Sequence, residues 1–588
     1  MSVRRARLWR SERERAADRL ADQCTAAFAA GESEDDVLKR LGPPKAAGRR
    51  LRREIRRERG LAWKLWFYAS RACVGVIAAF VVVYAVLFIR TARDEPTIGH
   101  NYWNDMNAEA LAAAEADKAE PLYLEALRQL GAQPDRERAM KGLPLESATE
   151  AEADFARQFV NANQSVLQLV RAAAAKPVLG MVFSARVHRG WYAWRSDVPS
   201  DEVIGSPDNP LLANIPLPHL GELRAIARLL LADMSIAADQ GDGARWLADA
   251  RAILGIARHA ARRGTLIQVL VGYGLGDQLL DRVFNTPGLE ELLNDEELAE
   301  LDRLLAEAAY QGEPGKFESD LSFENFIAAD FIQRVYTDDG SGDGRFVMLP
   351  FAEIVSDLSS DDPGGYELSR AERLANRLIA PVASIWEVGR REMSENMRDR
   401  DAAFLVDRRT PFHLLSENSS LVAVSDRTLG ARSWLERELG QRWGIIISKR
   451  VVLVLFWPAY GRVIQVERRF EQRHAAARVV VALVRFHQRE KKWPAALDEL
   501  VPIYLPSVPI DIFDGKSLKY RLSESGPILY SVGVGGIDNG GLAPANASDA
   551  NDVGQPELRK AIIKPQLHEC DDVFWPRRTY SNPSSTPE

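Results

Sequence analysis

The stretch Ala72–Ile89, ACVGVIAAFVVVYAVLFI, contains no charged residue, no proline and a single glycine. As an α-helix its length corresponds to about 27 Å, close to the hydrocarbon thickness of a bilayer. Valine and isoleucine fall on every side of that helix, so it has no polar face to turn toward water. Trp63, Trp66, Phe67 and Tyr68 lie just ahead of it, with Arg71 at its edge. Tyr84 and Phe88 lie near its far end, followed by Arg90 and Arg93. Aromatic rings and snorkelling cations at both ends suit the two interfaces of a membrane. The expectation is one membrane-spanning helix within 63–90, which makes the lipid bilayer a partner through Ala72–Ile89. A cleaved signal peptide fits poorly, because about 70 residues precede the apolar run and a signal's basic region is short.

Charge predicts the orientation. Residues 1–71 carry 19 Lys and Arg against 10 Asp and Glu, a net +9. The whole chain is −7, so residues 72–588 carry −16 once that +9 is taken away. An excess of Lys and Arg marks the cytoplasmic flank of a span. The cluster Arg49–Arg59 sits where anionic lipid headgroups would attract it. The predicted location is therefore a bacterial inner membrane, single-pass, with the N-terminus cytoplasmic and residues 95–588 extracytoplasmic. Under this topology Cys24, Cys73 and Cys570 fall in three different environments and cannot pair, so the outer part must be held by a packed core. The acidic balance of that part argues against nucleic acid as its partner.

Inside, residues 1–60 read as a basic helical module. A helix from about Ser11 stops at Gly31; Ser33 caps a short helix that ends at Gly42; Pro43 and Pro44 start a third through the arginines. The stretch GESEDDVLKRLGPPKAAGRRL (31–51) resembles the small cytoplasmic module called the HAAS domain. The shared pattern is a glycine, a serine with acids, a hydrophobic pair, Leu-Gly-x-Pro and a basic helix. That resemblance implies a loose link to regulation. A plain charged juxtamembrane anchor explains the same residues.

Outside, residues 95–470 read as mainly α. Leu223, Ile226, Leu230 and Met234 share one face; Trp246, Leu247, Ala250, Leu254 and Ala257 a second; Leu266, Val269, Leu270 and Tyr273 a third. Gln240–Gly243 and Gly264 break between them. Helix and short turn in alternation predict a helical-hairpin bundle or short solenoid. Asn294 with Glu297 and Ser369 with Glu372 have the form of capping boxes. Ser356–Gly365 reads as a loop, and Ile445–Phe456 as a buried apolar helix too short to span a membrane. The loop Asp338–Gly344 places oxygens at Asp339, Ser341 and Asp343, the first half of a calcium loop, but the twelfth position from Asp339 is Pro350 where a bidentate Glu belongs. A glycine-rich turn explains it equally simply.

The pattern changes again near Glu471. A helix leads into a proline-rich connection, then two alternating strands, Lys519–Leu522 and Ile528–Val532, joined by a hairpin turn. Trp493, Pro494, Leu497, Leu500, Pro509, Asp511, Phe513, Gly515, Tyr520, Tyr530, Ser531, Gly533, Gly536, Gly540 and Gly541 carry a resemblance to the periplasmic part of type II secretion major pseudopilins. The resemblance covers roughly 90 residues and implies a small C-terminal α+β module over 471–576, with a disordered tail at 577–588. The pilin leader and its N-terminal helix signature are missing, so a filament subunit is not implied. In that family the last loop binds calcium. The matching positions here are Asp538, Asn539, Asp549, Asn551 and Asp552, with Gly535 standing where the family has an aspartate.

The sequence carries no recognisable catalytic signature. The eight histidines form no zinc spacing, and there is no GxSxG elbow or strand–helix GxGxxG. The first expectation is therefore a non-catalytic, membrane-anchored interaction or scaffold protein, associated with secretion or envelope machinery and a protein partner there. The second is a transmembrane regulator that couples an outer ligand-binding domain to the inner module. An extracytoplasmic hydrolase comes last. No cofactor other than calcium is suggested.

Overall fold

A computed structural model describes residues 10–575 apart from 59, 134, 142, 144, 146–148, 185–188, 193–210, 263, 309–321, 359–367, 412, 416–457, 524–525, 534–536 and 542–571. Twenty α-helices and one three-stranded sheet occur among the described residues. The chain divides into two compact units, Met1–Arg90 and Thr91–Glu588.

The first unit contains α1 (Arg10–Ala29), α2 (Glu34–Leu41), α3 (Pro44–Glu58) and α4 (Leu61–Thr91, whose last residue opens the second unit). Gly31 adopts φ +83° after α1, which only glycine takes without strain. The Ser33 side chain accepts from the Asp36 N–H at 3.3 Å and caps α2, whose first turn holds three acids. In α3, Leu51 and Ile55 lie one turn apart and bury against Ala16 and Leu20 of α1. Everything else on α3 is small or charged, so one narrow apolar stripe decides how it packs.

The second unit continues with α5 (Tyr102–Ala112), α6 (Glu120–Gly131), α7 (Arg136–Lys141), α8 (Glu150–Ala162), α9 (Gln164–Ala174), α10 (Arg189–Tyr192), α11 (Pro218–Asp239), α12 (Gly243–Ala261) and α13 (Leu266–Asn285). Then come α14 (Leu289–Leu292), α15 (Asp295–Ala308), α16 (Ser322–Val335), α17 (Met348–Leu358), α18 (Arg370–Trp386), α19 (Arg390–Arg409) and α20 (Pro458–Glu490). The three faces read between 221 and 273 form the consecutive helices α11, α12 and α13, which pack on one another. Their caps are local. Asp242 accepts from the Arg245 N–H at 3.0 Å, and Thr265 and Gln268 form a reciprocal box. Both expected boxes are also present, Asn294 with Glu297 and Ser369 with Glu372.

One core joins α6, α8, α9, α11–α13, α15 and α20. Helix α20 packs along α13 and α15, and Phe470, Val480, Leu483 and Phe486 lie in that core. The boundary expected at 470/471 thus falls inside a single helix, and residues on both sides of it share one interior. The denser apolar pattern after Glu471 marks where α20 becomes buried on several sides, not where a new element begins. Strands β1 (Lys519–Ser523), β2 (Gly526–Ser531) and β3 (Asp572–Trp575) form an antiparallel sheet in the order β1-β2-β3. Tyr520 is opposite Leu529, and Phe574 stacks on Phe284 of α13 at 6.0 Å. A second core gathers Phe331, Val335, Tyr336, Phe346, Phe351 and Met393 from α16, α17, α19 and the loop after α16. Helix α17 runs to Leu358, three residues into the stretch read as loop from Ser356. The apolar run Ile445–Phe456 and the tail 577–588 lie outside the described residues.

Candidate functional site

Within α4, Leu65–Thr91 is 27 residues long, and its most apolar 18-residue window has a mean hydropathy of 2.9 with none of that window buried. By length and composition it is the one helix among the described residues suited to crossing a membrane. Val76, Ile77, Phe80, Val82 and Val86 stand exposed around it. Phe80, Tyr84 and Phe88 stack at 6.4 Å steps along one side, and the Arg71 guanidinium lies 4.4 Å over the Phe67 ring. So much exposed apolar area is disfavoured in water by roughly 25 cal/mol per Å². On α3, Arg49, Arg50, Arg53 and Arg57 are exposed and Arg52 is half-buried. Arg19 of α1 donates to both Glu58 oxygens at 2.7 Å, an exposed pair that contributes little.

The oxygens of the first acidic loop have local partners. Asp339 Oδ1 accepts from Ser341 N at 2.8 Å, Ser341 Oγ at 2.7 Å and Asp343 N at 3.3 Å. These bonds, the Ser341 hydroxyl first, hold the Asp339 carboxyl below its usual range. Arg391 donates to the Ser341 carbonyl at 2.9 Å and its hydroxyl at 3.0 Å, and the Arg391 N–H reaches Asp343 Oδ1 at 3.2 Å. In the C-terminal loop, Asp538 Oδ1 accepts from the Tyr530 hydroxyl and the Gly540 N–H, both at 2.9 Å. Asn539 is described beside it, whereas Asp549, Asn551 and Asp552 lie outside the described residues. Among the described residues no group of three or more His, Cys, Asp or Glu is arranged to hold a metal.

Among the C-terminal motif residues, Phe513 and Ser531 meet at Asp511. It is fully buried and accepts from Phe513 N at 3.0 Å, Ser531 Oγ at 2.9 Å and Val532 N at 2.9 Å. Burial pushes its carboxyl up while those donors pull it down. The Tyr520 hydroxyl donates to the Pro494 carbonyl at 2.7 Å, and Trp493 meets Trp575 at 5.5 Å. Asp511 therefore pins the proline-rich connection to the end of β2, which is a structural duty.

A small cleft is lined by Met106, Glu109, Gly180, Met181, His259, Arg262, Gln268 and Phe323. Arg262 donates to Glu109 at 2.8 Å at its edge. The His259 ring is buried; it accepts from the Tyr123 hydroxyl at 3.0 Å and donates through Nε2 to the Lys176 carbonyl at 2.8 Å. His219 accepts at Nε2 from Gln268 at 3.1 Å, between the Trp191 and Phe183 rings. Burial pushes His259 down to about 4 and His219 to about 3. Both are neutral, and neither serine nor cysteine is among the residues that line this cleft.

Sequence reasoning missed two buried ionic clusters. Asp233 and Asp249, both fully buried, share Arg171, whose contacts are 2.6 and 2.7 Å. Gln164 adds 2.6 Å and Arg245 Nε 2.9 Å to Asp233. Burial raises Asp249; burial is also the largest influence on Asp233, but Arg245, Asp249 and Gln164 together outweigh it and hold that carboxyl low. Elsewhere Arg408 Nε reaches both Glu467 oxygens at 2.9 Å, and the Tyr273 hydroxyl reaches Oε1 at 2.9 Å. Their sequence separations of up to 194 residues leave no local signal. No protein-family model, curated protein or solved structure matches the chain.

Proposed function

We propose that the protein is a membrane-anchored interaction or scaffold protein. Helix α4 crosses the bilayer once, the basic first unit faces the cytoplasm, and residues 95–588 work on the other side. The observation that carries this reading is the exposed apolar surface of Leu65–Thr91 next to an arginine-rich helix. Support for a binding role rather than a catalytic one comes from the buried ionic groups of the second unit, which pair with one another across helices. The pseudopilin-like motif, with Asp511 tied to Ser531 and Val532, favours a role beside envelope or secretion machinery. A calcium ion in the loop that begins at Asp538 belongs to that same resemblance. The second reading, a transmembrane regulator, draws on the capped α2 and the basic α3 that follow the HAAS-like pattern.

The test is crosslinking of the full-length protein in its native membrane, alongside a variant lacking residues 1–42, which keeps the Arg49–Arg59 cluster beside the span. If the scaffold reading holds, the same envelope proteins are crosslinked to both, through sites in 95–588. Loss of those crosslinks in the shortened variant, with cytoplasmic regulators captured only by the full chain, would favour the regulator.

A further inference from the structure

The second unit carries a helix turned the wrong way round for a water-soluble surface. On α18, Leu374, Leu378, Ile379, Val382, Ile385 and Trp386 fall within an arc of about 140°. Periodicity alone would bury that arc. In the structure it is the outward side: Leu374 is 58%, Ile379 51%, Val382 56% and Ile385 64% exposed. The packed side consists of buried Pro381 with half-buried Ala380, Ala383 and Ser384, of which Ala383 touches the second core. Three arginines, Arg370, Arg373 and Arg377, and one acid, Glu372, make up its charge. A basic polar side, a broad aliphatic side and a tryptophan are the make-up of a helix that lies in a lipid interface.

The chain just after α4 is fastened to the lobe that bears α18. Arg345 donates to Asp94 at 2.6 and 3.2 Å, and Thr97 N donates to the Tyr336 carbonyl at 3.3 Å. Gly99 N and His100 N donate to Gln333 Oε1 at 3.2 and 3.1 Å. Tyr336 belongs to the core that Ala383 of α18 touches. Only three peptide units join Thr91 to Asp94, a reach of about 11 Å at most. Asp94, and with it the Arg345 that it pairs with, therefore follows the end of α4 within that reach.

We propose that α18 lies in the plane of the membrane interface, its aliphatic arc in the acyl boundary and its arginines among the headgroup phosphates. The inference rests on α4 crossing the bilayer. It gives the second unit a second lipid contact that restrains the Gln333–Arg345 lobe against the membrane surface.

The experiment uses the full chain with Cys24→Ser, Cys73→Ser and Cys570→Ser, reconstituted in vesicles of phosphatidylethanolamine and phosphatidylglycerol. A single cysteine at Val382→Cys, Phe80→Cys or Glu296→Cys carries an environment-sensitive fluorophore, and circular dichroism checks that each variant folds. Glu296 is exposed on α15 and serves as the water-facing reference. At position 382, a shallow spin-labelled lipid should cause about a twofold loss of emission, as a depth of 5–10 Å requires, while aqueous iodide has little effect. Position 296 should respond to iodide alone. If position 80 is quenched by deep lipid labels but 382 only by iodide, α4 spans and the inference about α18 is overturned. Shielding of 382 from both quenchers means that protein covers the arc, another part of the chain or a second copy, and also overturns it. If position 80 shows no lipid quenching, the spanning helix itself fails and α18 loses its basis.

Discussion

Glu467 and Arg408 show what a single buried ion pair does when its partners come from distant parts of the chain. Both side chains are almost fully enclosed, and Glu467 also takes the Tyr273 hydroxyl. Neither charge can be solvated, so each depends on the other. Arg408→Ala should cost about 3–5 kcal/mol, because it strands a buried carboxylate. Replacing both residues, Arg408→Met with Glu467→Leu, should cost clearly less than the sum of the single changes. Urea denaturation of the purified full chain would measure this, and additive losses would show that the pair is not coupled. Buried histidines set a different dependence. Burial pushes His219 down to about 3 and His259 and His474 to about 4. Each has a folded value below its unfolded value near 6.5, so the unfolded chain takes up protons first as pH falls. Their contribution is complete above about pH 6.5 and is lost progressively toward pH 4. His474 donates to the Leu305 carbonyl at 2.7 Å, a bond that a glutamine amide can replace. His474→Gln should flatten the slope of stability against pH between 6.5 and 4 by about one proton. An unchanged slope would place the acid sensitivity elsewhere.

Among the elements, α12 and α13 meet closely at Gly272, and two glycines two residues apart should respond oppositely to the same change. A Cβ on Gly272 would stand 2.6 Å from the Ala261 Cβ and 2.7 Å from the Ala257 carbonyl oxygen. Gly274 has nothing within 4 Å. Gly272→Ala should therefore destabilise by about 1–3 kcal/mol through forced separation of the helices. Gly274→Ala should stabilise by roughly 0.5–1 kcal/mol, since glycine is a poor helix former where no contact requires it. Thermal melts of the two variants decide it; a shared sign would mean that the helices slide freely. Such contrasts also show what could be read in advance. The stops at Gly31 and Gly42, the cap at Ser33 and the boxes at Asn294 and Ser369 were legible because their chemistry is local. The three periodic faces of α11–α13 were legible because burial imposes a 3.6-residue rhythm. The sharing of one core by α13, α15 and α20 was not, since it depends on which distant faces meet. Nor was the outward arc of α18: periodicity reports that a helix has an apolar side, not which side the fold presents. The candidate loops were found by composition, yet composition could not show that Asp339 satisfies Ser341 and Asp343 within its own turn.

At the scale of the whole molecule, the chain holds reporters of its own topology. Its three cysteines are Cys24 on α1, Cys73 within the apolar helix, and Cys570, two positions ahead of β3 in the sequence. If α4 spans the bilayer with arginines inside, a membrane-impermeant maleimide added to intact cells reaches Cys570 alone. Cys24, which is half-buried on α1, reacts only after lysis or mild unfolding. Cys73, exposed on the apolar helix, stays unlabelled until detergent removes the lipid. If arginines on one side of the span set the orientation, it should respond to their charge. Exchanging Arg49, Arg50, Arg52 and Arg53 for glutamine removes four positive charges without touching Leu51 or Ile55, which pack against Ala16 and Leu20 of α1. A fraction of the molecules should then insert the other way, making Cys24 reactive from outside in part of the population. Labelling of Cys24 and Cys570 together in intact cells of the unmodified protein would reject a fixed single crossing. Labelling of Cys73 without detergent would reject the crossing altogether, because a thiol in hydrocarbon is sheltered from a charged reagent whichever way the helix points.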